Sequence, residues 1–307
     1  MPEPLPVILD VDTGVDDAMA IALAVRSAAV DLRAVTTVAG NVTVDKTTDN
    51  TRRVLAALGA GALPVHRGCS RPLARPLHDA SNIHGKSGLG NLELPSVAGA
   101  SSPPYAPQFL VDTIMAAPGT ITLICVGPLT NLAAAIALEP DLPAALRRLV
   151  IMGGSLGRGN VTPYAEFNIY VDPEAAAQVC AACPLTMVGL DVTHQTNLTR
   201  AARAVLAAHD SAEARLVYGA TAEGFDQRGW EQFRLHDPLA VGVAIDPTLC
   251  AMKRGTLHVE TATAWCAGQT TLREEADGPH QVCVGVEAQR FLDLFTGTLG
   301  LPALVAG

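Results

Sequence analysis

Aromatic side chains are scarce in this chain: Phe, Trp and Tyr make up only 4% of it, although hydrophobic residues as a whole reach 49%. A composition this apolar excludes disorder. A core dominated by Ala, Val and Leu favours parallel strands covered by Ala-rich helices over a sandwich of large side chains. Lysine is rarer still, confined to Lys46, Lys86 and Lys253, and the formal charge is −9. Without a basic run there is no concentrated positive face of the kind a nucleic-acid backbone requires. No apolar run is long enough to span a membrane, and Met1-Pro2-Glu3-Pro4 lacks the basic and apolar regions of a secretory signal. Seven cysteines, an odd number scattered over 307 residues, read as reduced thiols, and the expectation is a cytoplasmic protein. Cys180-Ala181-Ala182-Cys183 has metal or redox spacing, but no second Cys or His pair accompanies it, so both read as core cysteines.

What is present is an alternation of strands and helices. Pro6–Leu9, Leu32–Val38, Thr120–Val126, Leu149–Met152 and Leu185–Leu190 are short apolar runs with strand character. Between them, Asp17–Ser27, Val44–Leu58, Thr130–Leu138 and Pro173–Ala182 have helical spacing, and Ser211–Phe233 is helical in character but more polar. The pattern predicts an α/β fold with a mainly parallel central sheet flanked by helices. Neither a repeat nor a linker divides the chain, so one domain over 1–307 is expected. Arg67–Pro107 and Gly153–Pro163 are rich in Gly and Pro and predict long irregular connections of the kind that carry function. In such a sheet ligands sit beyond the carboxyl ends of the strands. Asp10 and Asp12, Asn41, Val126 and Gly153 each follow a predicted strand, so all map to one rim.

Four carboxylates fall within eight residues at the first strand end: Asp10, Asp12, Asp16 and Asp17. Two like charges about 4 Å apart repel by roughly 4 kcal/mol at an effective dielectric near 20. A solvated turn capping a helix explains one or two of these acids, but not acids at the end of a buried strand. A bound cation explains all of them. Carboxylates without thiols or paired imidazoles suit calcium or magnesium, and Gly and Glu do not fall at the positions an EF-hand needs.

Three other motifs compete. Asp10-Val11-Asp12-Thr13 resembles the nucleophile turn of haloacid-dehalogenase-type phosphatases, but none of the three lysines lies beside a downstream acid pair. Gly153-Gly154-Ser155-Leu156-Gly157 fits a serine-hydrolase elbow, yet Arg158 through Pro163 cannot be the helix that must follow. Gly85-Lys86-Ser87 imitates a phosphate loop, but Ala80 stands where its first Gly is required.

Several separated motifs together resemble the nucleoside hydrolases of the inosine–uridine-preferring type. They are Asp10 through Asp17, Thr36 through Asn41, Ile83-His84-Gly85, Gly127 through Asn131, Met152-Gly153-Gly154, Asn160 through Asn168, and His236-Asp237-Pro238. The resemblance implies calcium at the bottom of a cleft, bound by Asp12, Asp17 and Asp237 with the main-chain carbonyl of Val126. The family often has Thr at that last position, but a carbonyl ligand depends little on its side chain. It also implies that Asp16, Asn160, Glu166 and Asn168 bind the ribose hydroxyls, with Asn41 beside the water or sugar. A dimer or tetramer is the family's expected assembly.

These residue types suit cleavage of an N-glycosidic bond, which passes through an oxocarbenium-like sugar. Asp12 is placed to take the proton of a metal-bound water. His236, with an ordinary pKa near 6.5, is the candidate acid for the departing base, the alternative being a support beside a metal-bound Asp237. His84 is read as a contact of base or ribose, and Phe167 as packing on the sugar, with structural roles as the alternatives. Trp230, Phe225 and Phe233 either stack on the base or belong to the core. The expected activity is therefore calcium-dependent hydrolysis of a small-molecule nucleoside to free base and ribose. A phosphatase or esterase using Asp10 or Ser155, and a non-catalytic nucleoside or ribose binder, are the alternatives.

Overall fold

The computed structural model describes residues 3–90, 92–99 and 102–306. Met1 and Pro2 of the amino terminus, and Asn91, Ala100 and Ser101 of the Arg67–Pro107 stretch, lie outside them. The strands among the described residues are β1 (Leu5–Val11), β2 (Val30–Thr37), β3 (Val65–Arg67), β4 (Thr122–Cys125), β5 (Arg148–Met152), β6 (Thr186–Val188), β7 (Asn197–Thr199), β8 (Gln232–Arg234), β9 (Cys250–Val259), β10 (Thr270–Glu274) and β11 (His280–Val286). Nine of them form one sheet in the order β10-β9-β11-β6-β5-β4-β1-β2-β3, and β7 pairs with β8 apart from it. All neighbours in the large sheet run parallel except where β9 meets β11 and β10.

The alternation along β1 shows why the sheet is covered on both faces. Val7, Leu9 and Val11 point to one side, into a cluster that includes helices Val15–Arg26, His236–Ile245 and Ala288–Leu299. Ile8 points to the other, into a cluster built on helices Ala106–Ala116, Thr130–Leu138 and Pro173–Ala182. Small side chains in Val15–Arg26 let that helix pack closely against helix His236–Ile245 and over β2, with every residue from Val15 to Ala24 buried.

The predicted parallel α/β architecture is therefore the observed one. Each predicted strand overlaps an observed one, and the helices Thr130–Leu138 and Pro173–Ala182 have the bounds the spacing predicts. Cys180 and Cys183 are buried, and burial pushes both thiols up to about 12, as suits core cysteines. Ser211–Phe233 departs from the helical expectation: it divides into helix Ala212–Ala220, a single wide turn at Glu223–Gln227, and the start of β8. Among the described residues no helix is long and apolar enough to cross a membrane.

Candidate active site

The carboxyl ends of β1, β2, β4 and β5 meet under one cavity of about 440 Å³. Its floor is acidic. Asp12, the residue after buried β1, accepts the Asn41 N–H on Oδ2 at 2.7 Å, while its Oδ1 is buried without a hydrogen-bond partner. Asp17 Oδ1 accepts the Asp12 N–H at 3.1 Å; its Oδ2 accepts the Gly14 N–H at 2.8 Å and the Asn41 side-chain amide at 3.0 Å. Asp16 and Asp17 open helix Val15–Arg26, and Asp237 opens helix His236–Ile245, so each acid sits at the positive end of a helix. Gly40 makes the close approach possible, because a Cβ there would lie 2.1 Å from Asp12 Oδ2.

Asp16, Asp17 and Asp237 each bring one carboxylate oxygen within 4.8 Å of the others, and all three are buried. Asp12 lies against Asp17 outside that triplet, so Asp16 shares the space that the family resemblance assigns to Asp12, Asp17 and Asp237. Burial, then the charge of Asp17, holds the Asp12 and Asp16 carboxyls far above the usual range. For Asp237 burial is again the largest cause, followed by Asp16, Asp17 and Asp12. Among the described residues no lysine or arginine pairs with these acids; the nearest partner is His84, with Nδ1 3.9 Å from Asp16 Oδ1. That ring is itself held neutral, pushed down to about 4 by burial and by Arg228.

An orphaned carboxylate oxygen, an all-oxygen donor set and uncompensated repulsion together fit a hard divalent cation. The Val126 carbonyl accepts from Asn168 Nδ2 at 2.7 Å, and a carbonyl keeps a second lone pair for another partner.

Asp10 is set apart from this floor. The Thr36 hydroxyl and Asn131 Nδ2, the latter at 2.7 Å, both donate to its Oδ1. Burial pushes the carboxyl up to about 7 against those hydrogen bonds. Asn131 also donates to Thr37 O at 3.0 Å and accepts the Cys69 N–H at 2.8 Å, so Asp10 belongs to a brace between strand ends. The Ser155 turn is not a nucleophile elbow: its hydroxyl donates to Arg158 O at 3.1 Å, and the next helix begins only at Phe167.

One wall of the cavity is the segment from Asn160 to Asn168. Glu166 caps helix Phe167–Val171, its Oε1 accepting the Asn168 N–H at 3.0 Å and its Oε2 the N–H groups of Gly154 and Ile169 at 3.0 and 3.2 Å. Burial nonetheless pushes that carboxyl up to about 7. Asn168 spends its amide nitrogen on the carbonyls of Val126 and Met152, and no described residue donates to its oxygen. Asn160, exposed at the rim, and partly buried Phe167 also line the cavity. So do Asp16, Asn41, His84, Val126, His236 and Asp237. Every residue expected at the site thus lines this cavity or, as with Asp12 and Asp17, lies beneath it.

The remaining wall carries His236, Trp230 and Phe233. Trp230 stacks with Phe233 at 6.1 Å between ring centroids and lies against Gly224, where a Cβ would come within 2.1 Å of the ring. Phe225 does not share this wall; it is buried in the core. His236 Nδ1 is 2.7 Å from Thr193 Oγ1, and burial pushes its ring down to about 3, with His194 and Arg234 adding to the effect. Thr193, His194, Gln232 and Arg234 were not evident as site residues from the sequence. The turn of helix at Leu190–Thr193, which follows β6, packs against helix His236–Ile245 and brings the first two to His236, and no local motif signals it. Arg234 stands two residues before His236, the one local hint available.

A family model described as inosine-uridine preferring nucleoside hydrolase matches residues 7–293. The chain is 41% identical over 290 residues to the non-specific ribonucleoside hydrolase RihC of Escherichia coli, covering 92% of this chain and 93% of that one. It is 38% identical over 309 residues to the pyrimidine-specific ribonucleoside hydrolase RihA of Citrobacter koseri, covering 97% and 99%. A solved plant nucleoside hydrolase superposes with a TM-score of 0.91 at 32% identity, over 97% of this chain and all of that one. With the acid floor, the cavity and the motif-bearing strand ends already in place, these matches identify the chain as an enzyme belonging to the inosine–uridine-preferring nucleoside hydrolase family.

Proposed function

We propose that this enzyme hydrolyses the N-glycosidic bond of ribonucleosides in a calcium-dependent reaction, releasing free nucleobase and ribose. The observation that carries the reading is the buried Asp12 Oδ1, unpartnered at the floor of a cavity whose wall offers amides and a carboxylate. Asp12, Asp17, Asp237 and the Val126 carbonyl would hold calcium. When bound, that ion supplies Lewis-acid activation of a water and a chelate for the ribose diol.

The chain's own residues do the rest. Asp12 Oδ1 takes the proton of the attacking water as its oxygen bonds to C1′. The C1′–N bond breaks and its electron pair leaves with the base. Asp16, Asn41, Asn160, Glu166 and Asn168 grip the ribose hydroxyls and hold the sugar in line, tolerating the positive charge that grows on the ring. Asn168 is suited to this because its oxygen is left free to accept a hydroxyl. His236 faces the departing base as its acid or hydrogen-bond donor, His84 contacts base or ribose, and Phe167 packs on the sugar.

Reducing-sugar release from inosine, uridine, cytidine, adenosine and guanosine, with calcium and with chelator, tests the proposal. Turnover of at least one nucleoside that chelation abolishes and calcium restores is expected. Turnover indifferent to chelation would remove the ion; tight binding with every nucleoside left intact would make the protein a binder.

A further inference from the structure

The ladder in which Leu198 of β7 faces Phe233 of β8 carries two chain segments beyond it into register. There the Leu235 N–H donates to Thr196 O at 2.9 Å, and Thr196 Oγ1 donates to Thr193 O at 3.1 Å. These bonds tie the turn of helix at Leu190–Thr193 to the start of helix His236–Ile245. They set Thr193 Oγ1 2.7 Å from His236 Nδ1.

Thr193 is fully buried, and among the described residues its hydroxyl has no partner other than His236. A hydroxyl has one hydrogen to donate, and leaving it unpaired in a dry interior is strongly disfavoured. Were Nδ1 protonated, in the neutral ring or in the cation, its N–H would donate to Oγ1 and strand that hydrogen. Only an unprotonated Nδ1 satisfies both groups. The second ring nitrogen, Nε2, then carries the proton, and it has no partner among the described residues while the ring lines the cavity.

We propose that Thr193 is a positioning residue that donates to His236 Nδ1 and fixes the imidazole as its neutral Nε2–H tautomer. The proposal rests on the nucleoside-hydrolase reading above and narrows the part His236 plays in it. His236 meets the departing base as a hydrogen-bond donor and keeps its proton. As C1′–N breaks, the electron pair moves onto the base, and the Nε2–H bond spreads that charge over a ring nitrogen or carbonyl oxygen. The proton that completes the free base comes from water. A neutral imidazole acting as an electrophile has precedent in triosephosphate isomerase.

The test compares nucleosides with 4-nitrophenyl β-D-ribofuranoside, whose leaving group departs without such help. Thr193→Val keeps the shape and removes the hydroxyl; Thr193→Ser keeps the hydroxyl. For Thr193→Val, kcat on nucleosides should fall by about 10- to 100-fold relative to kcat on the nitrophenyl riboside, with KM little changed. Thr193→Ser should restore most of that ratio. In a His236→Ala background, Thr193→Val should have no further effect. Nitrogen-15 spectra of the wild-type protein should show His236 protonated at Nε2 and not at Nδ1. Equal losses on both substrates, an additive loss in the His236→Ala background, or a protonated Nδ1 would overturn the proposal. A wild-type enzyme that cleaves neither substrate would sink the functional reading instead, while the nitrogen-15 spectrum still decides the hydrogen bond.

Discussion

At the floor of the cavity, Asp12 and Asp17 are fully buried, and each is held by backbone N–H groups fixed at strand or helix ends. On the wall above, Gln232 and Arg234 are exposed, and Trp230 is held mainly by Phe233, Gly224 and the Arg228 guanidinium 5.7 Å from its ring. The first arrangement is rigid because every element carrying it belongs to the sheet or packs directly on it. The second hangs on two three-residue strands outside the main sheet. Such a division suits an enzyme whose chemistry stays fixed while its base preference varies, and relatives of 41% and 38% identity are named non-specific and pyrimidine-specific. Under this view, floor residues and the Thr193–His236 pair control kcat, and Trp230 with the exposed residues beside it controls KM and the choice of base.

The sharpest way to break that division is Asp12→Asn. Loss of the general base should lower kcat by about 10³-fold, within the range such groups contribute, with calcium binding retained by titration calorimetry. Near-normal turnover would remove Asp12 from that role.

A second test addresses the floor's electrostatics. Glu166 and Asp10 rise to about 7, and Asp12, Asp16, Asp17 and Asp237 also rise, mainly through burial. A carboxyl raised in the folded state binds protons more tightly than the unfolded chain does. Its stabilisation is therefore full below the unfolded value near 4 and is lost as pH rises through about 7. Chelated protein should melt roughly 5 °C lower at pH 8 than at pH 5, and added calcium should close that gap. A melting temperature that rises with pH in chelator would contradict the arrangement.

The smallest effect belongs to the wall. Trp230→Ala should raise KM for nucleosides by about 3- to 10-fold, the scale of one aromatic contact, and leave kcat within about twofold. A loss confined to kcat would place Trp230 with the floor.

How much of this was legible in the sequence follows the same division. Asp10 through Asp17 is a continuous segment that runs from the end of β1 into the first turn of helix Val15–Arg26, so composition and spacing alone disclose the acidic cluster. β1, β2, β4 and β5 were visible because parallel strands covered on both faces are continuous apolar runs. β9 and β10 escaped because exposed and buried residues interrupt one another along them. β3 is only three residues long, too short for any period to show. On the wall, Thr193 and His236 stand 43 residues apart and are joined by a side-chain hydrogen bond that no local pattern encodes. Phe225 and Trp230 look alike in the sequence, yet the wide turn at Glu223–Gln227 sends one into the core and the other to the cavity.

The β7–β8 ladder also bears on how the chain can change length. Side chains alternate along a strand with a period of two, so one residue added inside either strand would turn its neighbours to the opposite face. An insertion between Thr193 and Thr199, or between Gln232 and His236, would put Thr193 and His236 out of phase. The same insertion near Asp210, exposed in the turn between helices Arg200–Leu206 and Ala212–Ala220, would leave that phase alone. At that turn the chain is free to grow; within the two strands its length is part of the chemistry.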